Sequence, residues 1–284
     1  MSVADAFGAA AFGYELVVRL AEAAGAEHRQ RWHVTTTAGT VGAAGAAARV
    51  LGTNEVDAVA HALSVSCGAA HAMFERTATR FLHRAHAVTS ALTCARADKP
   101  ASRRVLDDVR GTFVLVDPKR LTAERASTAL EETGFRIHPA TGYAHAAIDA
   151  ARELGPLEEI ARVGVSVWPP AATLASNRAP VGSDEEWWSI EHAVATTLGT
   201  SIDLVEVAPT GEGWAATVEA TLSDGTTRSA SVTEPLGHPE RPASNEDLIT
   251  KWQRLNGDGG TELLERFFAA NDGDAFAELV SSVV

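Results

Sequence analysis

The chain has few cysteines, few aromatic residues and no long hydrophobic run. Its two cysteines, Cys67 and Cys94, lack the spacing of a metal site or a redox pair, so we expect two free, buried thiols in a reducing compartment. The apolar stretches are rich in alanine and interrupted by Gly, Thr or His, and none is long enough to span a membrane. No secretory signal pattern is evident, and the sequence predicts a cytoplasmic protein without a membrane partner.

Positive charge is also scarce. The 284 residues include 24 Lys and Arg against 37 Asp and Glu, which gives a formal net charge of -13. A surface this acidic repels phosphate backbones, so nucleic acid is excluded as the expected partner. The balance of 45% hydrophobic and 21% charged residues is ordinary for a globular chain and allows one large or two modest domains.

Two common catalytic signatures are missing. Gly39, Gly42 and Gly45 recur every third residue, but they follow no predicted strand, so they do not form a dinucleotide-binding fingerprint. A serine nucleophile elbow is absent as well.

The first 134 residues are predicted to be mainly helical. Apolar residues recur with helical spacing over 6–24, and Gly25 is expected to end that helix. Further helices are predicted over 40–51, 55–72, 83–97 and 122–132, and Asn54 is the expected N-cap of the second of these. The segment 40–51 consists largely of alanine and glycine, so another element must lie very close to it. Small side chains throughout predict a dense helical bundle.

The character of the sequence changes after Gly134. One helix is predicted over 143–154 and another over 184–198, with strands over 160–167, 202–208, 214–222 and 226–232. Asp224-Gly225 is typical of a tight hairpin turn. Residues 135–242 are therefore predicted to form an α+β lid with an antiparallel sheet. Ser244 is expected to cap a further helix. Two more helices are predicted over 261–268 and 274–283, and these C-terminal helices are expected to pack on the N-terminal ones. The predicted domains are 1–134 with 243–284, and 135–242.

Four clusters carry candidate chemistry. Trp32-His33 leads into Thr35, Thr36, Thr37 and Thr40, which is either a site for proton transfer or a helix N-cap with an incidental histidine. The other three clusters are the segment from Arg80 through His83 to His86, the segment from Arg136 through His138, Tyr143 and His145 to Asp149, and the pair Asp107-Asp108.

Each of these three clusters has a plain alternative. The Arg80–His86 segment is a carboxylate-binding site or a solvated basic face. His145 and Asp149 have helical i, i+4 spacing, but no third ligand is recognisable, so we predict no metal. Asp107-Asp108 is interpreted as an exposed turn rather than a catalytic dyad.

Taken in order, these stretches resemble the MmgE/PrpD family, whose members include 2-methylcitrate dehydratase, cis-aconitate decarboxylase and iminodisuccinate epimerase. The resemblance covers nearly the whole chain. The stretches that carry it include RWHVTTTAGTVGAAGAAARVLG at 31–52, the R-x-L-H segment at 80–83, FRIHPATGYAHAAIDA at 135–150 and EPLGHPERPASNEDLITKW at 234–252.

The resemblance implies a mainly α fold with an inserted α+β lid, a homodimer, and no cofactor. It also implies removal of a proton beside a carboxylate of a small substrate, leading to dehydration, decarboxylation or epimerisation. His33 matches the family's active-site histidine, with His83 and His86 assisting catalysis. The remaining residues are expected to bind substrate: Thr37, Thr40, Arg80, Arg136, Tyr143 and His145.

The sequence also departs from the family pattern. Arg80 and Arg136 stand where lysines are usual, which keeps positive charge but removes proton transfer, since arginine stays protonated. A family stretch with a catalytic aspartate precedes the point where this sequence begins. We therefore expect a divergent, N-terminally short lyase or isomerase, in a specialised biosynthetic role. The alternatives are one subunit of a split enzyme, whose partner supplies the further helices, and a non-catalytic binding protein of this fold.

Overall fold

A computed structural model describes residues 2–75, 77–102, 104–106 and 112–269. The chain divides into two compact units: residues up to Glu132 together with those from Thr261 onward, and Thr133–Gly260. The predicted pair Asp107-Asp108 and the last predicted helix, over 274–283, lie outside the described residues.

The first unit is built from helices. They are α1 (Val3–Arg31), α2 (Val34–Leu51), α3 (Glu55–Val65), α4 (His71–Phe74) and α5 (Thr79–Ala95). Asn54 caps α3 as its sequence position predicts, because its side chain accepts a hydrogen bond from the Asp57 N–H at 3.0 Å. Gly25 interrupts α1 with a φ of 68°, but helical structure resumes and continues to Arg31, beyond the predicted end.

The alanine- and glycine-rich helix α2 packs tightly against α1, as its small side chains predict. A Cβ atom added at Gly42 would lie 2.5 Å from the carbonyl oxygen of Gly13 and 2.4 Å from Val17 Cγ2. One added at Gly45 would lie 2.5 Å from Leu16 Cδ1. The two backbones therefore approach to a distance that only glycine permits.

The helix predicted over 122–132 does not form, and this prediction was wrong. A short 3₁₀ helix at Pro118–Leu121 leads instead into turns. The carboxylate of Glu131 accepts hydrogen bonds from both the backbone and the hydroxyl of Thr128, and Glu132 binds Arg125 and Ser127. These local side-chain bonds give the backbone an alternative to the helix.

The second unit combines helices with one sheet. Its strands are β1 (Ile160–Val167), β2 (Val205–Ala208), β3 (Ala216–Leu222) and β4 (Thr227–Val232). Its helices are α6 (His145–Glu153), α7 (Pro169–Ala175), α8 (Ser183–Glu186), α9 (Ile190–Leu198) and α10 (Asn245–Asn256), and α11 (Asp258–Ala269) continues past Gly260. The mainly α fold with a smaller α+β unit is confirmed.

The sheet has the order β2-β1-β3-β4 and is mixed rather than wholly antiparallel. β1 pairs with β3, and β3 with β4, in antiparallel fashion, and the predicted turn at Asp224-Gly225 joins the last two strands. β1 and β2 are parallel, with Val163 opposite Val205. The intervening chain contains α7, α8 and α9, which supplies the long crossover that a parallel pair requires.

The C-terminal boundary of the second unit differs from the predicted one. Ser244 caps α10 with a reciprocal capping box to Asp247, as predicted. However, α10 belongs to the unit Thr133–Gly260, not to the helical unit. Arg254 of α10 donates a hydrogen bond to the carbonyl of Ile137 at 2.8 Å, which ties this helix to the start of the same unit.

Candidate active site

His33 is held between two helices by backbone pairing with a distant segment. It is the N-cap residue of α2, and its N–H donates to the carbonyl of Gly68 at 2.8 Å. The neighbouring residue Trp32 forms an antiparallel bridge with Ala69. Gly68 has a φ of 119°, and a Cβ there would lie 2.9 Å from Thr36 Cβ, so glycine is required beside the site.

The imidazoles of His33 and His83 meet directly. Their Nδ1 atoms lie 2.9 Å apart although the residues are 50 positions apart in sequence, and Thr36 Oγ1 lies 3.4 Å from His33 Nδ1. His33 is only 8% exposed. Burial, together with the charges of His83 and Arg84, lowers the pKa of His33 to about 4. Burial and the charges of His71 and His86 also lower the pKa of His83.

The threonines do not cap α2. The helix begins at Val34, so Thr36, Thr37 and Thr40 lie within its first turns and are fully buried. Thr40 Oγ1 donates to the carbonyl of Thr36 at 2.7 Å, an intrahelical bond that uses its proton. Thr37 Oγ1 lies 2.8 Å from His28 Nε2. The threonines are therefore not the N-cap of α2, because they lie inside the helix and their hydroxyls contact the Thr36 carbonyl, His28 and His33.

His28 was not predicted from the sequence. It is 5% exposed, and its ring stacks on Phe113 with the ring centroids 4.6 Å apart. Burial is the larger cause of its lowered pKa, and the charge of Arg29 adds to the effect. Its position five residues before His33 carries no helical or strand pattern that would indicate a shared site. Only its contact with Thr37 links it to the predicted residues.

Arg80 lies in the first turn of α5 and is deeply buried, with 2% exposure. It donates to the carbonyl of Thr77 at 3.3 Å, and its guanidinium carbon lies 4.6 Å from the centre of the Phe81 ring. Arg84 lies against the same ring at 5.5 Å. A buried arginine contradicts the alternative of a wholly solvated basic face for this residue.

His86 lies on α5 with His83 but is exposed. Its Nε2 lies 3.2 Å from Sγ of Cys67. Cys67 is a free thiol and exposed, so the prediction that it is buried was wrong, whereas Cys94 is free and buried as predicted. The reason is that Cys67 follows the end of α3 instead of lying on its packed face.

The second unit contains three residues that were predicted to bind substrate. Arg136 is exposed and lies 5.5 Å from the centre of the Trp187 ring, and Tyr143 stacks on Trp214. His145 is 2% exposed, and its Nε2 lies 3.3 Å from the carbonyl oxygen of Ala140. Burial, followed by the charge of His138, lowers the pKa of His145 to about 4.

Asp149 in the second unit forms a buried hydrogen bond with His138, a residue of the same predicted cluster, whereas the i, i+4 spacing indicated His145 as its partner. His138 Nε2 lies 2.6 Å from Asp149 Oδ1, and both side chains are almost fully buried. The other oxygen of Asp149 accepts a hydrogen bond from the Leu236 N–H at 2.7 Å and one from Arg241 at 3.2 Å. Burial by itself raises the pKa of Asp149. The hydrogen bond with His138, followed by the contacts with Leu236 and Arg241, outweighs burial, so the pKa of Asp149 is lowered. The spacing of eleven residues gave no signal for this pair.

Residues 2–121 match the family model of the MmgE/PrpD N-terminal domain. The match covers 120 of the 284 residues, and this part of the chain is similar to the MmgE/PrpD family. That family includes dehydratases and other lyases, so the similarity supports an enzyme of that broad type. The match contains His33, His83, His86 and the other predicted residues of the first unit. No curated protein matches the chain.

No helix in the described ranges has the length and apolar character needed to cross a membrane. Within the same ranges, no group of three or more His, Cys, Asp or Glu side chains is arranged to hold a metal ion.

Proposed function

We propose that this protein is a lyase or isomerase that moves a proton on a carbon atom next to a carboxylate. The observation that carries the proposal is the partly buried His33–His83 contact of 2.9 Å, in a segment similar to a family of dehydratases and other lyases. The reaction is a dehydration, a decarboxylation or an epimerisation of a small carboxylated metabolite, and it uses no cofactor.

The contact assigns different tasks to the two nitrogens of His33. Two Nδ1 atoms at 2.9 Å share one proton, because one imidazole must donate and the other accept. We assign the donor to His33. This tautomer leaves its Nε2 with a free lone pair, so Nε2 takes the substrate proton. His83, which accepts at Nδ1, keeps its proton on Nε2 and is the partner acid.

The charges near His33 favour an anionic substrate. Among the groups that lower the His33 pKa, Arg84 carries a permanent positive charge, and it lies on the same helix as His83. A bound carboxylate reverses this effect and raises the His33 pKa towards neutrality, where a general base is most effective. Arg80 in the first unit and Arg136 in the second are proposed to bind carboxylates.

The test is proton exchange into solvent. The full-length protein is incubated in D2O with a panel of di- and tricarboxylates, including β-hydroxy acids, and deuterium at the carbon next to the carboxylate is followed by NMR. We expect exchange with at least one member of the panel. His33→Gln should slow it by about 10²–10⁴-fold, the usual contribution of a positioned base.

A matched control comes from the same unit. His61 lies on α3, where its Nε2 contacts the carbonyl of Lys99, and His61→Gln should leave exchange unchanged. Exchange that persists in His33→Gln would remove this residue from the mechanism. If no carboxylate exchanges but several raise the melting temperature, the non-catalytic binding alternative is supported instead.

We also propose that the protein forms a homodimer. α5 exposes Phe81, Leu82 and Val88, and Leu82 is 68% exposed, so this helix presents apolar area that a second copy would cover. Native mass spectrometry should show twice the 29.8 kDa mass. A monomer that gains exchange activity only with another chain would favour the split-enzyme alternative.

A further inference from the structure

The second unit contains a cavity whose lining includes none of the residues proposed to move the proton or to bind the carboxylated substrate. It has a volume of about 600 Å³ and lies within residues 138–197. This volume is in the usual range of small-molecule sites. Its lining belongs to the second unit and, within the described part of the chain, does not include Arg136, Tyr143 or His145.

The lining combines both signs of charge with apolar surface. Arg152 of α6 and Glu186 of α8 supply one positive and one negative group, and His192 of α9 adds a polar ring. Arg152 is exposed and makes no side-chain hydrogen bond or ion pair with the described residues. Ile148 and Trp187 supply apolar surface.

His138 contributes a hydrogen-bonding atom that nothing in the described chain satisfies. Its Nε2 faces Asp149 at 2.6 Å, and because a carboxylate only accepts, this nitrogen carries the proton. Its Nδ1 is buried and has no hydrogen-bond partner among the described residues. In the neutral ring Nδ1 accepts a hydrogen bond. Neighbouring atoms cover it, so a ligand reaches it only when lining side chains change rotamer.

We propose that this cavity binds a small zwitterionic amino acid with an apolar side chain. Arg152 matches the carboxylate, Glu186 the ammonium group, and Trp187 with Ile148 the apolar part. His138 Nδ1 takes a further hydrogen bond from the ammonium group. A di- or tricarboxylate fits this lining poorly, because Glu186 would repel its second negative charge.

The proposal is tested by calorimetric titration of the full-length protein with four probes. These are L-leucine, N-acetyl-L-leucine without the ammonium charge, L-leucinamide without the carboxylate, and succinate. We expect saturable binding of L-leucine, and affinities at least about tenfold lower for the other three. No saturable binding of L-leucine, or tighter binding of succinate, would overturn the proposal.

Variants of Arg152 and Glu186 then test which charged group of the ligand each residue binds. In Arg152→Ala the affinities for L-leucine and L-leucinamide should become equal, and in Glu186→Gln those for L-leucine and N-acetyl-L-leucine should become equal. Arg228→Ala, an exposed change on β4, is the control and should keep wild-type affinities. Unchanged discrimination in both cavity variants contradicts the site. Because the cavity contains none of the first-unit residues, failure of the exchange assay leaves this result unaffected.

Discussion

At the scale of single residues, the main feature is that His33 and His83 are both held neutral. Burial is the largest cause of each lowered pKa, and the charges of neighbouring cationic groups add to it. A neutral imidazole is ready to accept a proton at neutral pH, but a pKa of about 4 makes His33 a weak base. The proposed substrate carboxylate is therefore part of the catalytic environment, since its charge raises that pKa.

The contribution of His83 is measurable in isolation. In His83→Gln the second cause of the His33 shift is removed while burial remains, so the His33 pKa should rise from about 4 but stay below 6.5. Histidine-ring NMR as a function of pH measures this value. Arg228→Gln, which removes a charge from the second unit, is the control and should not change the pKa of His33. An unchanged His33 pKa in His83→Gln would show that the two rings do not interact electrostatically.

At the scale of elements, the packing of α1 on α2 depends on individual glycines. Gly42 faces the backbone of Gly13, whereas Gly39 in the same helix has nothing within 4 Å of its added Cβ. The two positions share a helix and a residue type but differ in their surroundings. They therefore form a matched pair for separating close packing from helix propensity.

Gly42→Ala should destabilise the protein and Gly39→Ala should not. The first change forces the backbones apart and should lower the free energy of unfolding by about 1–3 kcal/mol. The second removes backbone freedom from the unfolded chain and should raise it by about 0.5–1 kcal/mol. Urea denaturation monitored by circular dichroism measures both. Equal effects of the two substitutions would contradict the close approach at Gly13.

At the scale of the whole molecule, stability should depend on pH through buried histidines in both units. The pKa values of His28, His33, His83 and His145 are all lowered in the folded chain. Above pH 6.5 these rings are neutral in both states and contribute nothing to the pH dependence. Below pH 6.5 these histidines bind protons in the unfolded chain but not in the folded chain, so the free energy of unfolding decreases.

We expect the free energy of unfolding to decrease between pH 6.5 and 4, by about 1–3 kcal/mol each for His33 and His145. Asp149 does not contribute in this window, since its pKa is lowered and its stabilisation is lost only at more acidic pH. Urea titrations across this range, repeated in about 1 M NaCl, test the cause, because salt screens surface charges but not burial. His33→Gln should reduce the decrease, and a decrease that disappears in salt would contradict the burial mechanism.

Features that depend on neighbouring residues follow from local signals in the sequence. β1 has its predicted bounds, the Asp224-Gly225 hairpin forms, and Asn54 and Ser244 cap their helices, because each signal lies within a few residues. Local motifs, including the segment around His33, also predicted the similarity to the MmgE/PrpD N-terminal domain that extends over residues 2–121. The small residues of α2 predicted a close neighbour without showing which one.

The chemistry between distant residues depends on how the elements pack, which no local pattern predicted. The His33–His83 contact joins positions 50 apart, and the His138–Asp149 pair lies beyond any helical or strand period. The parallel pairing of β2, the exposure of Cys67 and the depressed histidine pKa values likewise depend on which elements pack together. A linear pattern records which groups are present, whereas burial and the charges across a contact fix how they titrate.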